Sequence, residues 1–527
     1  MASRQTVMSQ RQLAAAETRL GEGWTDSGRL RVCLLYPNTY AIGMSSLAVH
    51  ALYSLLNRLD GFYCERAFLP SQTEVAELQR RRQPLCSIES EMPLGGFDLV
   101  AVTTSFELDW LNLPLCLQLG GVPPLQCERE PQSPFVVGGG PCFTANPSPV
   151  LDMFDAVFVG EAEPVLPQIQ ELINLSRDEW GEYLSQWPGF IVPGLSQHPA
   201  PRRCARNLDE FATDTVIMTE HTEFASSYLV EMGRGCGRGC SFCLAGEIYR
   251  PVRYRRPQAL LGRIMDAMAY TDRVGLVATS VSDYPWLEEL CAGLSVMEPR
   301  PRVSASSVRA DGDNQCLFEL QATSGQHSVT FAPETGTERL RQTVCKHLSD
   351  EQLHAGIRSA VEAGLERVKL YFLVGLPGET AEDRAAIVTM VRELASEYAQ
   401  CSWSISVNPF VPKPHTALQA AETPDIGTTR EHLAELSAAL DTLPQVRART
   451  GSARWSAVQT AISRGDARLG KALVTAGTRQ VDFSQLRRIL AEAGHDLTQA
   501  NRLAAAEGPY PWDIVSPVCY DTAPGGE

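Results

Sequence analysis

The chain reads as an α/β protein with an N-terminal Rossmann-like parallel sheet, a central partial (β/α)6 TIM barrel and a C-terminal helical domain. Two observations predict this class. Short β-rich runs alternate with helix-spaced stretches twice along the chain, a pattern that builds parallel sheets covered by helices. The length of 527 residues exceeds what one hydrophobic core organises, so two or three domains are expected.

Residues 1–29 are expected to form a frayed N-terminal arm, with a short polar helix over 10–20 as the alternative. The first alternating series, with its connector, occupies residues 30–200. Its β-rich runs are RVCLLY (31–36), FYCERAFL (62–69), FDLVAVTT (97–104), PFVVGGG (134–140) and DAVFVG (155–160), with helical spacing at 44–59 and 73–82. The second series lies within residues 201–420. Its runs are YLVEM (228–232), VGLVA (274–278), RVSASS (302–307), SVTFA (328–332), RVKLYFLV (367–374) and CSWSISVN (401–408), separated by helical stretches such as 257–272, 285–296 and 381–396. Six β/α units of this size fit an open, partial barrel. Residues 421–527 carry no clear strand signal and read as helices near 430–443, 452–464 and 483–493. No internal repeat is evident.

Composition narrows the setting. The fractions of 44% hydrophobic and 20% charged residues are those of a globular protein. No apolar run is long enough to cross a bilayer and no signal peptide stands at the start, so a cytoplasmic protein with no membrane partner is expected. A net charge of −16 argues against a protein that coats nucleic acid non-specifically, without excluding a local basic groove. Most of the fifteen cysteines are scattered singly, as expected for thiols in a reducing compartment.

Three cysteines break that pattern. GRGCGRGCSFC (233–243) follows the first strand of the second series directly and places Cys236, Cys240 and Cys243 on one glycine-rich loop. Short spacing lets one loop wrap a compact metal site, and thiolates are the ligands of iron–sulfur clusters. Three ligands leave one iron of a 4Fe-4S cluster open. Structural zinc takes four ligands, for which Cys204 or His221 would have to reach in. Strand ends of a β/α barrel are where active sites lie.

The spacing CxxxCxΦC after a first barrel strand, with Phe242 as the apolar residue, resembles the signature of the radical S-adenosylmethionine (SAM) superfamily. The resemblance implies that SAM chelates the open iron. An electron from a reductant such as flavodoxin or ferredoxin then cleaves SAM to methionine and a 5′-deoxyadenosyl radical. Other strand ends resemble the same family. TSVSD (279–283) suggests Ser280 and Ser282 for the SAM amino group, and FAPETGTERLR (331–341) suggests Glu334 for the ribose or methionyl part. VGLPGET (374–380) places Gly375 and Gly378 against adenine, while NPFVPKPHT (408–416), with Asn408, is similar to RNA-modifying members such as the tRNA methylthiotransferases.

The N-terminal series is similar to the cobalamin-binding domain of many radical SAM enzymes, through DLVAVTTS (98–105), FVVGGG (135–140) and VFVGEAE (157–163). It implies cobalamin contacts from Thr104, Ser105, Gly138, Gly139, Gly140 and Gly160. The DxHxxG loop that supplies a lower-face histidine is absent. The nearest resemblance, over essentially the whole chain, is to a little-characterised subfamily sharing TEFASSYLVEMGRGCGRGCSFCLAGEIYRPVR (222–253), GGGPCFTANP (138–147) and PWDIV (511–515).

Function expected from these residues is radical attack on an unactivated C–H bond, with cobalamin-dependent methyl transfer favoured. Cobalamin-independent rearrangement, oxidation or sulfur insertion, or a non-catalytic iron–sulfur or zinc scaffold, are the alternatives. RNA, a protein side chain and a small metabolite all stay open as substrate, and no acid or base residue is identified. Arg250, Arg253, Arg255 and Arg256 form a basic cluster that either serves SAM, the cluster or a phosphate, or is a solvated face. Cys519 is read as an incidental thiol, with hydrogen donation as the alternative.

Overall fold

The computed structural model describes residues 9–21, 27–196, 199–306, 308–497 and 509–520. Parts of the expected arm, the last residue of the 302–307 run and parts of the C-terminal region lie outside the described residues.

Six strands make the N-terminal sheet: β1 (Leu30–Tyr36), β2 (Phe62–Phe68), β3 (Leu99–Thr103), β4 (Phe135–Gly139), β5 (Ala156–Phe158) and β6 (Phe190–Ile191). Their order is β2-β1-β3-β4-β5-β6, parallel throughout except for β6. Strand β1 explains why its sequence is apolar without alternation. Val32 and Leu34 face one core while Cys33 and Leu35 face another, so both faces are covered. Chain order reverses between β1 and β3, and open α/β sheets bind ligands outside the carboxyl ends at such a switch.

The connector contributes β7 (Ala200–Arg203), and β8 (Tyr228–Glu231) opens the second series. A hairpin of β9 (Gly233–Arg234) and β10 (Arg253–Tyr254) brackets the cysteine loop. Strands β11 (Arg273–Val277) and β12 (Arg302–Ala305) join β8 in a parallel three-stranded sheet. A parallel four-stranded sheet follows, made of β13 (Ser328–Glu334), β14 (Arg367–Val374), β15 (Ser402–Pro409) and β16 (Val446–Thr450). One continuous core, from Tyr228 to Ala453, underlies both sheets.

Three expectations need correction. Strand β16 lies where only helices were expected. VRART has one buried residue and two exposed arginines, so an edge strand formed by register with β15 leaves no apolar signal. The C-terminal region also returns as β17 (Val515–Tyr520), paired in parallel with β7 and bonded through a Cys204–Cys519 disulfide, so Cys519 is not an incidental thiol. Its helices do not stand apart: Val458, Ile462, Leu469, Leu473 and Leu490 share a core with Leu35, Val100 and Trp110 of the N-terminal sheet. Finally, the arm at 9–21 is docked. Leu13 packs on the N-terminal core, and Glu17 joins Glu89 in neutralising the fully buried Arg66 at 2.6 and 2.8 Å. A guanidinium so buried requires carboxylate partners, and the arm supplies one of them.

No helix among the described residues is long and apolar enough to cross a membrane.

Candidate functional site

The cysteine loop leaves the carboxyl end of β8 and is clamped from two sides. Ser241 donates its N–H to the Val344 carbonyl at 3.0 Å and accepts from the Leu418 N–H at 3.1 Å, residues that follow β13 and β15. Phe242 packs with Val344, Leu376 and Phe410, which come from the ends of β13, β14 and β15. Gly235 has φ of 88°, and a Cβ there would lie 2.6 Å from the Tyr249 carbonyl, so the turn into Cys236 requires glycine.

Among the described residues no three Cys, His, Asp or Glu side chains converge closely enough for a single metal ion. Cys240 and Cys243 nevertheless interact electrostatically, as do Cys243 and Cys236. Three thiols on one loop are the donor chemistry that iron–sulfur clusters take. Cys204, a possible fourth zinc ligand, is committed to Cys519. Burial pushes the Cys240 thiol up, while Lys346 and Arg309 pull it down; the same cations complement a bound thiolate.

Around the loop stands a ring of opposed charges. Arg238 chelates Asp283 and reaches Asp311 at 3.5 Å, and Arg309 pairs with Asp311 at 2.8 Å. Glu334 sits in the left-handed region at φ of 70°, strain that non-glycine residues rarely hold. Burial raises its carboxyl pKa, and Lys346, 3.1 Å away, draws it back. A zwitterionic ligand such as SAM needs this kind of mixed surround.

The other expected SAM contacts are distributed around these strand ends. Ser280 is buried against Asp283. Ser282 is already engaged, accepting the Arg309 N–H at 2.8 Å, and so orders the loop. Gly375 and Gly378 both adopt positive φ in the turn after β14. Asn408 bonds Ser406 at 3.3 Å at the end of β15. Sequence reasoning missed Arg309 and Lys346, which belong to no recognisable motif. It also missed Arg234, although that residue lies inside the cysteine motif.

The second feature is a cavity of about 500 Å3 between the N-terminal sheet and the cysteine-bearing sheet. Leu34, Ala101 and Val137 form its floor, and helix Leu47–Asn57 forms a wall. Its rim carries Ser105, Gly138, Gly139, Gly140 and Gly160 on one side and Arg234, Tyr249 and Thr279 on the other. Thr104 does not belong: it is fully buried and its hydroxyl accepts from Trp110 Nε1 at 3.1 Å. Successive residues along an extended chain point in opposite directions, and Thr103 and Ser105 line the cavity instead. The apolar floor and polar rim suit a ligand with an apolar part and polar edges. Among the described residues no histidine, methionine or cysteine lines the cavity.

A buried ion network joins the two features. Arg234 bonds Glu161 at 2.9 Å, Glu163 at 2.6 Å and Glu231 at 2.8 Å; Arg253 grips Glu161 at 2.6 Å. Arg255, fully buried, holds Glu231 at 3.0 Å. Two of the four expected basic-cluster residues are thus spent internally. Arg256 lies over the Trp286 ring and is exposed, as is Arg250 beside Glu247.

Fold and loop together define an α/β protein with a three-cysteine loop at a strand end and a ligand-sized cavity beside it. Residues 48–193 match the family described as radical SAM proteins, N-terminal, and residues 230–391 match the radical SAM superfamily. An uncharacterized protein of Methanocaldococcus jannaschii is 30% identical over 393 residues, which are 74% of this chain and 79% of that protein. An uncharacterized methyltransferase of Pyrococcus horikoshii is 22% identical over 50% of this chain and 59% of its own length. Among solved structures, the radical SAM methyltransferase TsrM of Kitasatospora setae, with cobalamin and a 4Fe-4S cluster bound, aligns with a TM-score of 0.48 and 14% identity, over 74% of this chain and 77% of that one. The chain belongs to the radical SAM superfamily, whose cofactors are a 4Fe-4S cluster and SAM and whose members require an external reductant.

Proposed function

We propose that the protein is a cobalamin-dependent radical SAM enzyme that methylates an unactivated carbon. The observation that carries this reading is the apolar cavity at the switch point of the N-terminal sheet, which opens beside the cysteine loop. When bound, the cluster and SAM supply a radical able to break a C–H bond, and cobalamin supplies a transferable methyl group. Cys236, Cys240 and Cys243 hold the cluster. Glu334, Lys346, Arg309 and Ser280 orient SAM through its charged and hydroxyl groups. Leu34, Ala101 and Val137 exclude water from the cobalamin arm, and Ser105 and Gly138–Gly140 receive its polar edge. The Arg234–Glu161–Arg253 network ties the start of the cysteine loop to the cavity rim. Thirteen unpaired cysteines suit a reducing, cytoplasmic setting with flavodoxin or ferredoxin as the electron donor.

The test is corrinoid retention. Wild-type protein loaded with cobalamin under anaerobic conditions is expected to keep stoichiometric corrinoid through desalting. Ala101→Phe, which puts a ring into the cavity, is expected to lose it while iron and sulfide content stay unchanged. Wild-type protein that retains no corrinoid, or an Ala101→Phe variant that retains it fully, contradicts the proposal.

A further inference from the structure

The charge of this chain is distributed unevenly. Against a net charge of −16, residues 446–490 carry nine Lys and Arg and only two Asp and Glu. Eight of those nine cations are exposed; Arg464 alone is buried. Helices Leu469–Arg479 and Phe483–Glu492 enclose a groove of about 580 Å3, lined by Arg468, Lys471, Arg479 and Arg488 with Glu492 the one carboxylate. Lys471 and Arg479 make no ion pair among the described residues, while Arg468 is held by Asp466 and Arg488 lies 3.8 Å from Glu492.

At the head of the second helix the basic surface becomes aromatic. Trp455 is 44% exposed and meets Phe483 edge to face at 6.3 Å between centroids, and the Arg454 guanidinium lies over the Phe483 ring at 5.2 Å. Nearly half of this tryptophan's surface thus stays in solvent. Cations flanking an open aromatic platform are the elements with which proteins hold single-stranded nucleic acid, phosphates on the cations and bases on the ring.

The strip also leads to the chemistry. It begins at β16, and Gly451 at the end of that strand abuts Asn408, with 2.7 Å between a Cβ there and the amide oxygen. Helix Ala453–Ser463 continues from this point, and its Gln459 bonds Glu107 at 2.8 Å, which in turn pairs with Lys413 at 2.5 Å. The basic surface is therefore continuous in chain with the strand ends where SAM chemistry is placed.

We propose that the C-terminal strip docks single-stranded nucleic acid, and that the substrate of the radical reaction is a nucleotide within that strand. The substrate assignment rests on the radical SAM reading; the docking does not. Fluorescence anisotropy with a labelled mixed-sequence 20-nucleotide RNA, on full-length cluster-loaded protein, reads docking without SAM, reductant or corrinoid. Binding near micromolar at low salt is expected, with strong salt dependence. Charge reversal at Lys471, Arg479 and Arg488 together is expected to weaken it at least about tenfold and to flatten the salt slope by about two to three. Trp455→Ala is expected to weaken it about fivefold or more, a loss that charge alone would not produce. A labelled DNA strand of the same sequence tests whether ribose contributes.

No measurable RNA binding, or equal binding by wild type and the triple variant, overturns the docking. Binding of polyglutamate in preference to RNA, with Trp455→Ala without effect, replaces nucleic acid by an acidic protein partner and overturns it as well. Docking that is confirmed while RNA never increases SAM cleavage leaves the strip standing and removes the substrate assignment. Loss of SAM cleavage with docking intact would instead strike the radical SAM reading.

Discussion

Replacing Arg234 by methionine removes a guanidinium that touches three carboxylates, Glu161 and Glu163 buried and Glu231 partly so. Glu161 keeps Arg253 and Glu231 keeps Arg255, so two of the three remain neutralised. Glu163, 5% exposed, loses its one ion-pair partner among the described residues. Breaking a buried pair from one side costs about 3–5 kcal/mol, because a charge is left unpaired in low dielectric. One stranded carboxylate of three, with Thr213 keeping its bond from Arg255, places the expected loss near the lower end, about 3 kcal/mol. Pairing the change with Glu163→Gln removes the stranded charge, so Arg234→Met with Glu163→Gln is expected to recover at least about half of that loss. The assay is urea unfolding of both variants, Glu163→Gln and the wild type at matched cluster content. A loss below about 1 kcal/mol for Arg234→Met, or no recovery in the double variant, would refute the view that the network is a tightly coupled joint.

Three further outcomes follow from the geometry. Gly160 has φ of 114°, and a Cβ there would lie 2.1 Å from the Arg203 carbonyl, so Gly160→Ala is expected to cost more than about 1 kcal/mol by chemical unfolding and to reduce corrinoid retention. Burial raises Asp109 to about 6, above its unfolded value, so the folded state holds the extra proton between pH 4 and 6 and the penalty is complete above pH 6. Asp109→Asn, which can still accept from Asn38 Nδ2, is therefore expected to stabilise the fold at pH 8 by up to about 3 kcal/mol and to have little effect near pH 4. Cys519→Ser releases β17 from β7, and faster amide exchange at Ala200–Arg203 is expected, with a loss of about 2–4 kcal/mol in unfolding under non-reducing conditions.

What could be read from the sequence was local. The strands of both parallel series announce themselves as apolar runs, and the three cysteines by spacing on one loop. Partners far apart in sequence were not legible. Strand β17 finds β7 across more than three hundred residues, and the pairing depends on register rather than on any pattern within SPVCY. Strand β16 presents arginines to solvent and so reads as coil or helix. Thr104 and Thr103 are indistinguishable in sequence, and only the direction of the chain after β3 decides which one meets the cavity. Arg309 and Lys346 take their meaning from Glu334 and Cys240, which the fold brings to them.

The central claim is that Cys236, Cys240 and Cys243 hold a cluster that cleaves SAM. Its most direct test is deoxyadenosine formation by anaerobically reconstituted protein given SAM and dithionite, compared with Cys240→Ala treated identically. Deoxyadenosine from the wild type that falls to background in Cys240→Ala is the predicted result. Equal deoxyadenosine from both proteins, or a complete four-iron cluster in the wild type that leaves SAM intact even with cell extract supplying substrate, would contradict it.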